Sequence, residues 1–245
     1  MMGRTGEYPP RVANEVRGLS WNLGMATEAD HIILALRAAD ADFLFLCELN
    51  AAHHLRERIR DLGYHEFFVD ADYRHNLRKT PGGIAFYSRF PVEHKVIVPT
   101  LSNQKLSTSR QYLEMRLRIS ESFHLTVGGT HHTLPWQPGY RKSSRALWQE
   151  VSKHAERYLC MGDLNSLPLS RLIRRLRKQL VHLGPSMLQN SYPRRWKSLQ
   201  LLPPRRLDYA FATADIAGLL IEEAWFGSSW PSDHNMLLIR LRIRG

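Results

Sequence analysis

Ten short apolar runs, many of them rich in β-branched and aromatic residues, recur along the chain and limit its fold more than any other feature. Runs of this length and composition are typical of buried strands. They lie at 18–21, 43–47, 84–87, 95–98, 112–119, 124–130, 158–161, 207–212, 219–226 and 236–243. Four helical patterns separate some of them, so the sequence predicts an α/β fold in which two sheets pack together with helices outside.

The helical patterns have recognisable starts and faces. Thr27 is predicted to cap the first helix, and the others are predicted at about 55–62, 144–156 and 172–180. No linker divides the chain into separate units.

The overall organisation follows from length and composition. A chain of 245 residues, of which 43% are hydrophobic, can bury one sizeable core. We expect an N-terminal tail at 1–15 and a single catalytic domain at 16–245.

Several predicted strands end in polar residues, and the pair Asp163 and Asn165 is the clearest case. Residues i and i+2 of a strand point to the same side, so these two side chains can address one point. A turn alone would also explain Gly, Asp and Asn at the end of one strand. The same pattern recurs at the other strand ends, with Asn22, Glu48, His131, Asp208, Asp233 and His234.

Taken together, these residues predict a site for a hard cation with an acid–base pair. Carboxylate and amide oxygens are the ligands that Mg²⁺ prefers. Histidine transfers protons near neutral pH, and Asp208 could orient a histidine ring. A zinc site would need more nitrogen or sulfur ligands, and a serine hydrolase would need a Gly-x-Ser-x-Gly turn that the chain lacks.

The ordered set of motifs resembles the endonuclease/exonuclease/phosphatase superfamily, whose members include deoxyribonuclease I-like enzymes. The motifs are Trp21-Asn22, Cys47-Glu48, the glycine-led strand at 82–91, Thr130-His131, Gly162-Asp163-Leu164-Asn165, Arg206-Leu207-Asp208-Tyr209 and Ser232-Asp233-His234. Leu164 replaces the usual Phe, and Cys47 replaces a common Gln. The resemblance spans about residues 16 to 243.

The resemblance implies a four-layer α/β sandwich of two mainly antiparallel sheets, and hydrolysis of phosphate esters with Mg²⁺ or Mn²⁺ as cofactor. It implies that Glu48 is the principal metal ligand, with Asn22 close by and Asp233 completing the metal region. It further implies catalytic roles, which fall to Asp163 on the attacking water, Asn165 and His131 near the phosphate, and His234 steadied by Asp208. Alternation along the strand sends His131 and His132 to opposite sides, and the preceding Thr130 favours His131.

The charge of the chain bears on the substrate. Its 34 Lys and Arg against 23 Asp and Glu give a net charge of +11, and such a surface attracts polyanions. We therefore expect a nuclease that acts on phosphodiester bonds of nucleic acid. The alternatives are a phosphohydrolase of a lipid or inositol phosphate, and a non-catalytic nucleic-acid-binding module on the same scaffold.

Two long loops, at 71–82 and 191–206, and several arginines are further candidates for substrate binding. The fourth predicted helix carries one charged face, with Arg171, Arg174, Arg175, Arg177 and Lys178, and the loop after it adds Arg194, Arg195 and Lys197 with a neighbouring tryptophan. Such residues suit a phosphate backbone with exposed bases, and a solvated helix face would explain the helix charges equally. Arg110 could reach a phosphate. Arg145, on the third predicted helix, is expected only to pack or pair on the helix surface.

The remaining sequence features concern location and assembly. Cys47 and Cys160 sit far apart in apolar runs, which is typical of buried thiols in a reducing compartment. We recognise no signal peptide and no apolar segment of membrane-spanning length. We expect a cytoplasmic monomer with no stable membrane insertion.

Overall fold

The computed structural model describes residues 14–50, 54–70, 82–103, 108–184, 191, 206–226 and 231–243. Its strands are β1 (Glu15–Asn22), β2 (Phe43–Asn50), β3 (His65–Asp70), β4 (Gly82–Ser88), β5 (Val92–Asn103), β6 (Thr108–Arg118), β7 (His124–Thr130), β8 (Tyr158–Asp163), β9 (Val181–Leu183), β10 (Asp208–Ala212), β11 (Leu220–Phe226) and β12 (Leu237–Arg242). Its helices are α1 (Ala29–Ala39), α2 (Leu55–Arg60), α3 (Tyr140–Val151), α4 (Arg171–Gln179) and α5 (Ala214–Ala217).

The strands form two six-stranded sheets, in the orders β11-β12-β1-β2-β4-β3 and β5-β6-β7-β8-β10-β9. Each sheet has one parallel pair at its centre, β1 with β2 and β7 with β8, and its other neighbours are antiparallel. The prediction of two mainly antiparallel sheets with helices outside is therefore confirmed.

Three apolar clusters divide the molecule into four layers. One lies between the sheets and includes Phe45, Val127 and Met161. A second packs α1 and α2 on the outer face of the first sheet, and a third packs α3 and α4 on the outer face of the second. Helices cover both sheets because each sheet is apolar on both faces.

The ten predicted strands are all present, but the sequence missed β3, β9 and α5. β3 is an edge strand whose side chains are half-buried or exposed, and its only apolar run, Phe67-Phe68-Val69, is short and flanked by charged residues. β9 and α5 have only three and four residues. Segments so short carry no periodicity that a pattern could reveal.

Two predicted helix boundaries were wrong. Glu28, not Thr27, is the residue before α1, and the first helical hydrogen bond runs from Ile32 N–H to Glu28 O. α3 begins at Tyr140 after Gly139, earlier than the predicted 144, and ends at Val151. Gly139 has a positive φ of 90°, which turns the chain into the helix at a point where no capping side chain announces it.

The tail at 1–13 and most of the two long loops lie outside the described residues, so the predicted domain bounds stay a prediction. Cys47 and Cys160 are buried free thiols, as expected. Within the described residues, no helix is long and apolar enough to cross a membrane.

Candidate active site

The two parallel pairs bring the site together, because parallel strands end at the same edge of a sheet. Asn22 is the last residue of β1, Glu48 lies two residues before the end of β2, and Asp163 is the last residue of β8 beside β7. Asp208, at the start of the antiparallel strand β10, pairs directly with Asp163. The sandwich therefore collects side chains from both sheets at one edge.

Glu48 sits on a distortion of its strand. Its φ is +50°, a left-handed conformation that is uncommon for a non-glycine residue. The pairing of β2 with β4 shifts register between Leu46 and Leu49. Bulges of this kind re-aim a side chain, and the Glu48 carboxylate is left only half-buried at the sheet edge.

The Asp163 carboxylate is the centre of the site. Its Oδ2 accepts a hydrogen bond of 3.0 Å from Asn22 Nδ2. The same oxygen lies 3.6 Å from His131 Nε2 and 3.9 Å from His234 Nε2. Its Oδ1 accepts from Asn165 N–H at 2.8 Å. Four different chain segments thus surround one buried carboxylate.

Asn165 and Asn22 hold this arrangement with their amides. Asn165 has a φ of +45°, and its Nδ2 donates to His132 O at 2.9 Å. Asn22 Oδ1 accepts from Gly24 N–H at 2.9 Å, while its Nδ2 faces Asp163 and, at 3.5 Å, Glu48. For Asn22 to be a metal ligand through oxygen, its side-chain amide would have to turn over.

His234 and Asp208 form a buried pair. His234 Nδ1 donates to Asp208 Oδ2 at 2.9 Å, which leaves Nε2 facing Asp163. Ser232 Oγ accepts from His234 N–H at 2.9 Å and donates to Asn22 O. Trp21 Nε1 donates to His234 O at 2.9 Å. The histidine is therefore fixed from the first sheet although its partner Asp208 belongs to the second.

Ser191 fixes Asp208 from the other side. Its fully buried hydroxyl accepts from the N–H groups of Leu207 at 2.8 Å and Asp208 at 3.0 Å. Its carbonyl accepts from Asn235 N–H at 2.8 Å. Serine contacts with distant backbone leave no local pattern, so these hydrogen bonds of Ser191 and Ser232 could not be predicted from the sequence.

The two adjacent histidines face different surroundings. His131 Nε2 lies 3.5 Å from Glu48 Oε1 as well as near Asp163. His132 Nδ1 is 3.0 Å from Thr133 O, and its ring packs edge-on against Tyr140. The geometry puts His131 among the carboxylates and His132 against α3.

Burial and neighbouring charge shift two pKa values in the site. Burial, together with the negative charge of Asp208, raises the pKa of Asp163 to about 7. Burial alone would lower the pKa of His234, but the charge and hydrogen bond of Asp208 overcome it and raise that pKa to about 10. At neutral pH His234 is therefore a cation, while Asp163 can both take and release a proton.

The other predicted site residues are less closely engaged. The Asp233 side chain is exposed, although its charge also contributes to the raised pKa of His234. Arg110 lies in β6, but its side chain is outside what the structure describes. Arg194, Arg195 and Lys197 lie outside the described residues altogether.

The donors at this edge fit a hard divalent cation. Three carboxylates, those of Glu48, Asp163 and Asp208, converge beside His131 and His234, and the nearby Arg206 Nε donates to Asp208 O at 3.4 Å. Asp163, Asp208 and His234 each offer an atom within 4.8 Å of the others. Among the described residues, buried Asp208 Oδ1 has no hydrogen-bond partner. Repelling carboxylates and an unpaired buried oxygen are what a cation would relieve.

The fold and site together define a class: a two-sheet α/β sandwich with a carboxylate and histidine centre at one sheet edge. The chain belongs to the Endonuclease/Exonuclease/phosphatase family, whose sequence pattern it matches over residues 19–234. This match confirms the family that the sequence motifs predicted. Members of this family are hydrolases of phosphodiester or phosphate ester bonds and typically depend on a divalent metal. Comparison with curated protein sequences finds no match.

Solved structures share the fold at low sequence identity. An endonuclease/exonuclease/phosphatase from Beutenbergia cavernae superposes with a TM-score of 0.71 at 20% identity, over 95% of this chain and 72% of that one. TDP2 of D. rerio, complexed with a single-strand DNA product, gives 0.70 at 15% identity, over 94% and 99%. The 3′ phosphatase NExo from Neisseria, bound to a product DNA hairpin, gives 0.67 at 14% identity, over 92% and 99%.

Proposed function

We propose that this protein is a metal-dependent phosphodiesterase that hydrolyses phosphodiester bonds in nucleic acid. The observation that carries the proposal is the buried Asp163 carboxylate, faced by the Nε2 atoms of His131 and His234. Its raised pKa suits a general base that works near neutral pH.

We place the cation, Mg²⁺ or Mn²⁺, at the Glu48 side of the site. Asp208 is already hydrogen-bonded to His234 Nδ1, whereas the Glu48 carboxylate is half-buried and open to solvent. Asn22, after its amide turns over, and Asp233 would complete the ligands. When bound, the cation neutralises phosphate charge and makes water more acidic.

The residues of the chain would divide the remaining work. Asp163 accepts the proton of the attacking water, and Asn165 holds its carboxylate in place through the 2.8 Å bond to Oδ1. His234, charged because of Asp208, donates from Nε2 to a phosphate oxygen. His131 offers a second donor next to Glu48.

Nucleic acid is the substrate that the charge favours. The net charge of +11 attracts a polyanion, and TDP2 and NExo are each bound to DNA in their structures. Arg110 and the loop residues Arg194, Arg195 and Lys197 remain candidates for backbone contacts. A lipid or inositol phosphate substrate is the competing possibility within the family.

A substrate panel tests this proposal. Purified protein with Mg²⁺ is offered a single-stranded oligonucleotide, a DNA duplex, a chromogenic phosphodiester, an inositol polyphosphate and a phospholipid. We expect turnover of the oligonucleotide and the small diester, reduced about a hundredfold or more in Asp163→Asn. Asp61→Asn, an exposed carboxylate at the end of α2, is the matched control. Faster turnover of the inositol phosphate or the lipid would contradict the nucleic-acid assignment.

A further inference from the structure

A basic cleft of about 530 Å³ opens between the first turns of α3 and α4. Four arginines line it, two from each helix. They are Arg141 and Arg145 on α3 and Arg171 and Arg175 on α4. The other lining residues are Pro135, Tyr140, Ser144 and Leu172. We call this feature the arginine cleft.

The arginine cleft concentrates positive charge that no carboxylate of its lining offsets, although the Arg175 guanidinium lies over the Trp148 ring, 5.5 Å from its centroid. On each helix the two arginines are four residues apart, so they share a face, and like charges at this spacing repel. The lining contains no carboxylate. Within the part of the chain that the structure describes, none of the four forms an ion pair. An anion with more than one charged group would offset this repulsion.

The arginine cleft adjoins the candidate active site. Tyr140 lines the cleft, and its hydroxyl lies 2.7 Å from Ser166 Oγ. Ser166 directly follows Asn165, and the Tyr140 ring packs edge-on against His132. α3 follows the connection that leaves β7, and α4 follows the connection that leaves β8. A chain-like substrate that leaves the site along these connections therefore meets the arginines next.

The same two connections carry exposed apolar side chains. Trp136 is 73% exposed, Leu167 51% and Leu169 80%. Trp136 follows Pro135, which lines the arginine cleft. An exposed tryptophan beside a row of arginines is the combination that binds unpaired nucleic acid, with a base stacked on the ring and phosphates on the guanidinium groups.

We infer that the arginine cleft holds the backbone phosphates of an unpaired nucleic-acid strand, with a flanking base stacked on Trp136. The inference rests on the proposed function and adds to it the form of the substrate and the side on which the strand leaves the site. Base faces in a duplex are hidden, so a stacking surface at this place favours single strands, overhangs or frayed ends.

Salt dependence of binding tests the arginines. Arg171→Gln/Arg175→Gln is compared with Arg174→Gln/Lys178→Gln, which removes the same charge at the same spacing from the exposed face of α4 outside the cleft. Binding of a fluorescent oligothymidylate is titrated at several salt concentrations in Ca²⁺. Each single-strand phosphate contact contributes about 0.7 to the slope of log K against log salt. The cleft variant should therefore lose a slope of about 1.4, and the control variant much less.

Two further variants test the site independently. Arg141→Gln/Arg145→Gln removes the α3 side of the arginine cleft and should flatten the slope similarly. Trp136→Ala should weaken oligothymidylate binding about fivefold or more, whereas Trp136→Phe should restore most of it, because a ring still stacks. Binding of a blunt duplex should be insensitive to either change at Trp136. Hydrolysis of a small phosphodiester should stay within about twofold of wild type in all of these variants, since it cannot span the cleft.

Each contrary outcome points to a different failure. Equal slopes for the cleft and control variants, with wild type still cleaving the oligonucleotide, would overturn the cleft and leave the proposed function standing. If wild type hydrolyses the small diester but neither binds nor cleaves oligonucleotides at low salt, both substrate assignments fall. Sedimentation with phosphatidylserine vesicles that Trp136→Ala abolishes, without any effect on oligonucleotide binding, would assign this surface to lipid instead.

Discussion

Asp208 acts on the site through two neighbours at once. Its charge raises the pKa values of both Asp163 and His234, so one carboxylate keeps the base available near neutrality and keeps the histidine cationic. Asp163 and Asp208 are direct cross-strand partners, and this pairing makes the coupling strong.

The pH profile should report the effect of Asp208. Under the proposed function, activity needs Asp163 deprotonated and His234 protonated, so it should rise with pH through the Asp163 pKa and fall as pH passes the His234 pKa near 10. In Asp208→Asn the largest raising charge and its hydrogen bond are lost, while burial still lowers the pKa of His234 and the charges of Asp163 and Asp233 still raise it. The alkaline limb should therefore move down by about one pH unit or more, with a larger loss of activity at about pH 9 than at about pH 7.

The check on this prediction is a profile of kcat/KM with a small phosphodiester for wild type, Asp208→Asn and Asp61→Asn. Asp61→Asn should leave both limbs in place, because that carboxylate is exposed on α2. An alkaline limb that stays near 10 in Asp208→Asn would show that Asp208 does not control His234.

The residues that converge at this edge of the sheets were readable in the sequence, while the contacts that position them were not. Asp163 and Glu48 stand out because each is a charged residue at the end of an apolar run. The hydrogen bonds of Ser191 and Ser232 do not, because their hydroxyls bond to backbone atoms 17 and 210 residues away. Local patterns record periodicity and turns, and they carry no information about such distant bonds.

At the level of elements, the beginning of β10 is held by one side chain, that of Ser191. Ser191 Oγ accepts hydrogen bonds from the N–H groups of Leu207, just before the strand, and Asp208, its first residue. In Ser191→Ala one partly buried and one buried donor lose their acceptor, so the free energy of unfolding should fall by about 2–4 kcal/mol. Urea unfolding followed by circular dichroism measures this change.

The matched control is Ser122→Ala, whose exposed hydroxyl makes only a long contact with Ser120, and it should be within about 0.5 kcal/mol of wild type. A Ser191→Ala variant as stable as this control would mean that the hydroxyl does not hold β10.

The strands that could be predicted from the sequence are more deeply buried than those that could not. β2 and β8 are buried and apolar along most of their length and could be predicted. β3 has only three consecutive apolar residues between charged ones, and it lies at a sheet edge. The α3 side of the arginine cleft was also missed, since Arg145 looks like any exposed helical arginine until α4 is placed opposite it.

At the scale of the whole molecule, the distance between the two sheets determines whether the site residues of one sheet reach those of the other. Phe45 of β2 fills the interface, and a Cβ on Gly129 of β7 would lie 2.5 Å from its ring. The sheets therefore approach closely just below the site because Gly129 has no side chain. Asn22 and Glu48 on one sheet and Asp163 on the other depend on this approach.

Gly129→Ala should push the sheets apart or force Phe45 from its rotamer, at a cost of about 1–3 kcal/mol in the free energy of unfolding. Gly218→Ala, where an added Cβ would meet only ordinary contacts at 3.5 Å, should be near neutral. Adding Phe45→Leu to Gly129→Ala should recover part of the loss. Urea unfolding of the three variants measures the effect, and no difference between the two glycine variants would disprove the close approach.

The most direct test of the central claim is hydrolysis of an oligonucleotide as a function of Mg²⁺ concentration, for wild type, Glu48→Gln and the exposed control Glu57→Gln. Wild type and Glu57→Gln should saturate with Mg²⁺ and lose activity in chelator. Glu48→Gln should need far more Mg²⁺ and lose about a hundredfold or more in rate, because the site loses a carboxylate. Chelator-resistant cleavage by wild type, or the same Mg²⁺ dependence in Glu48→Gln as in wild type, would contradict the claim that the cation acts at this edge of the sandwich.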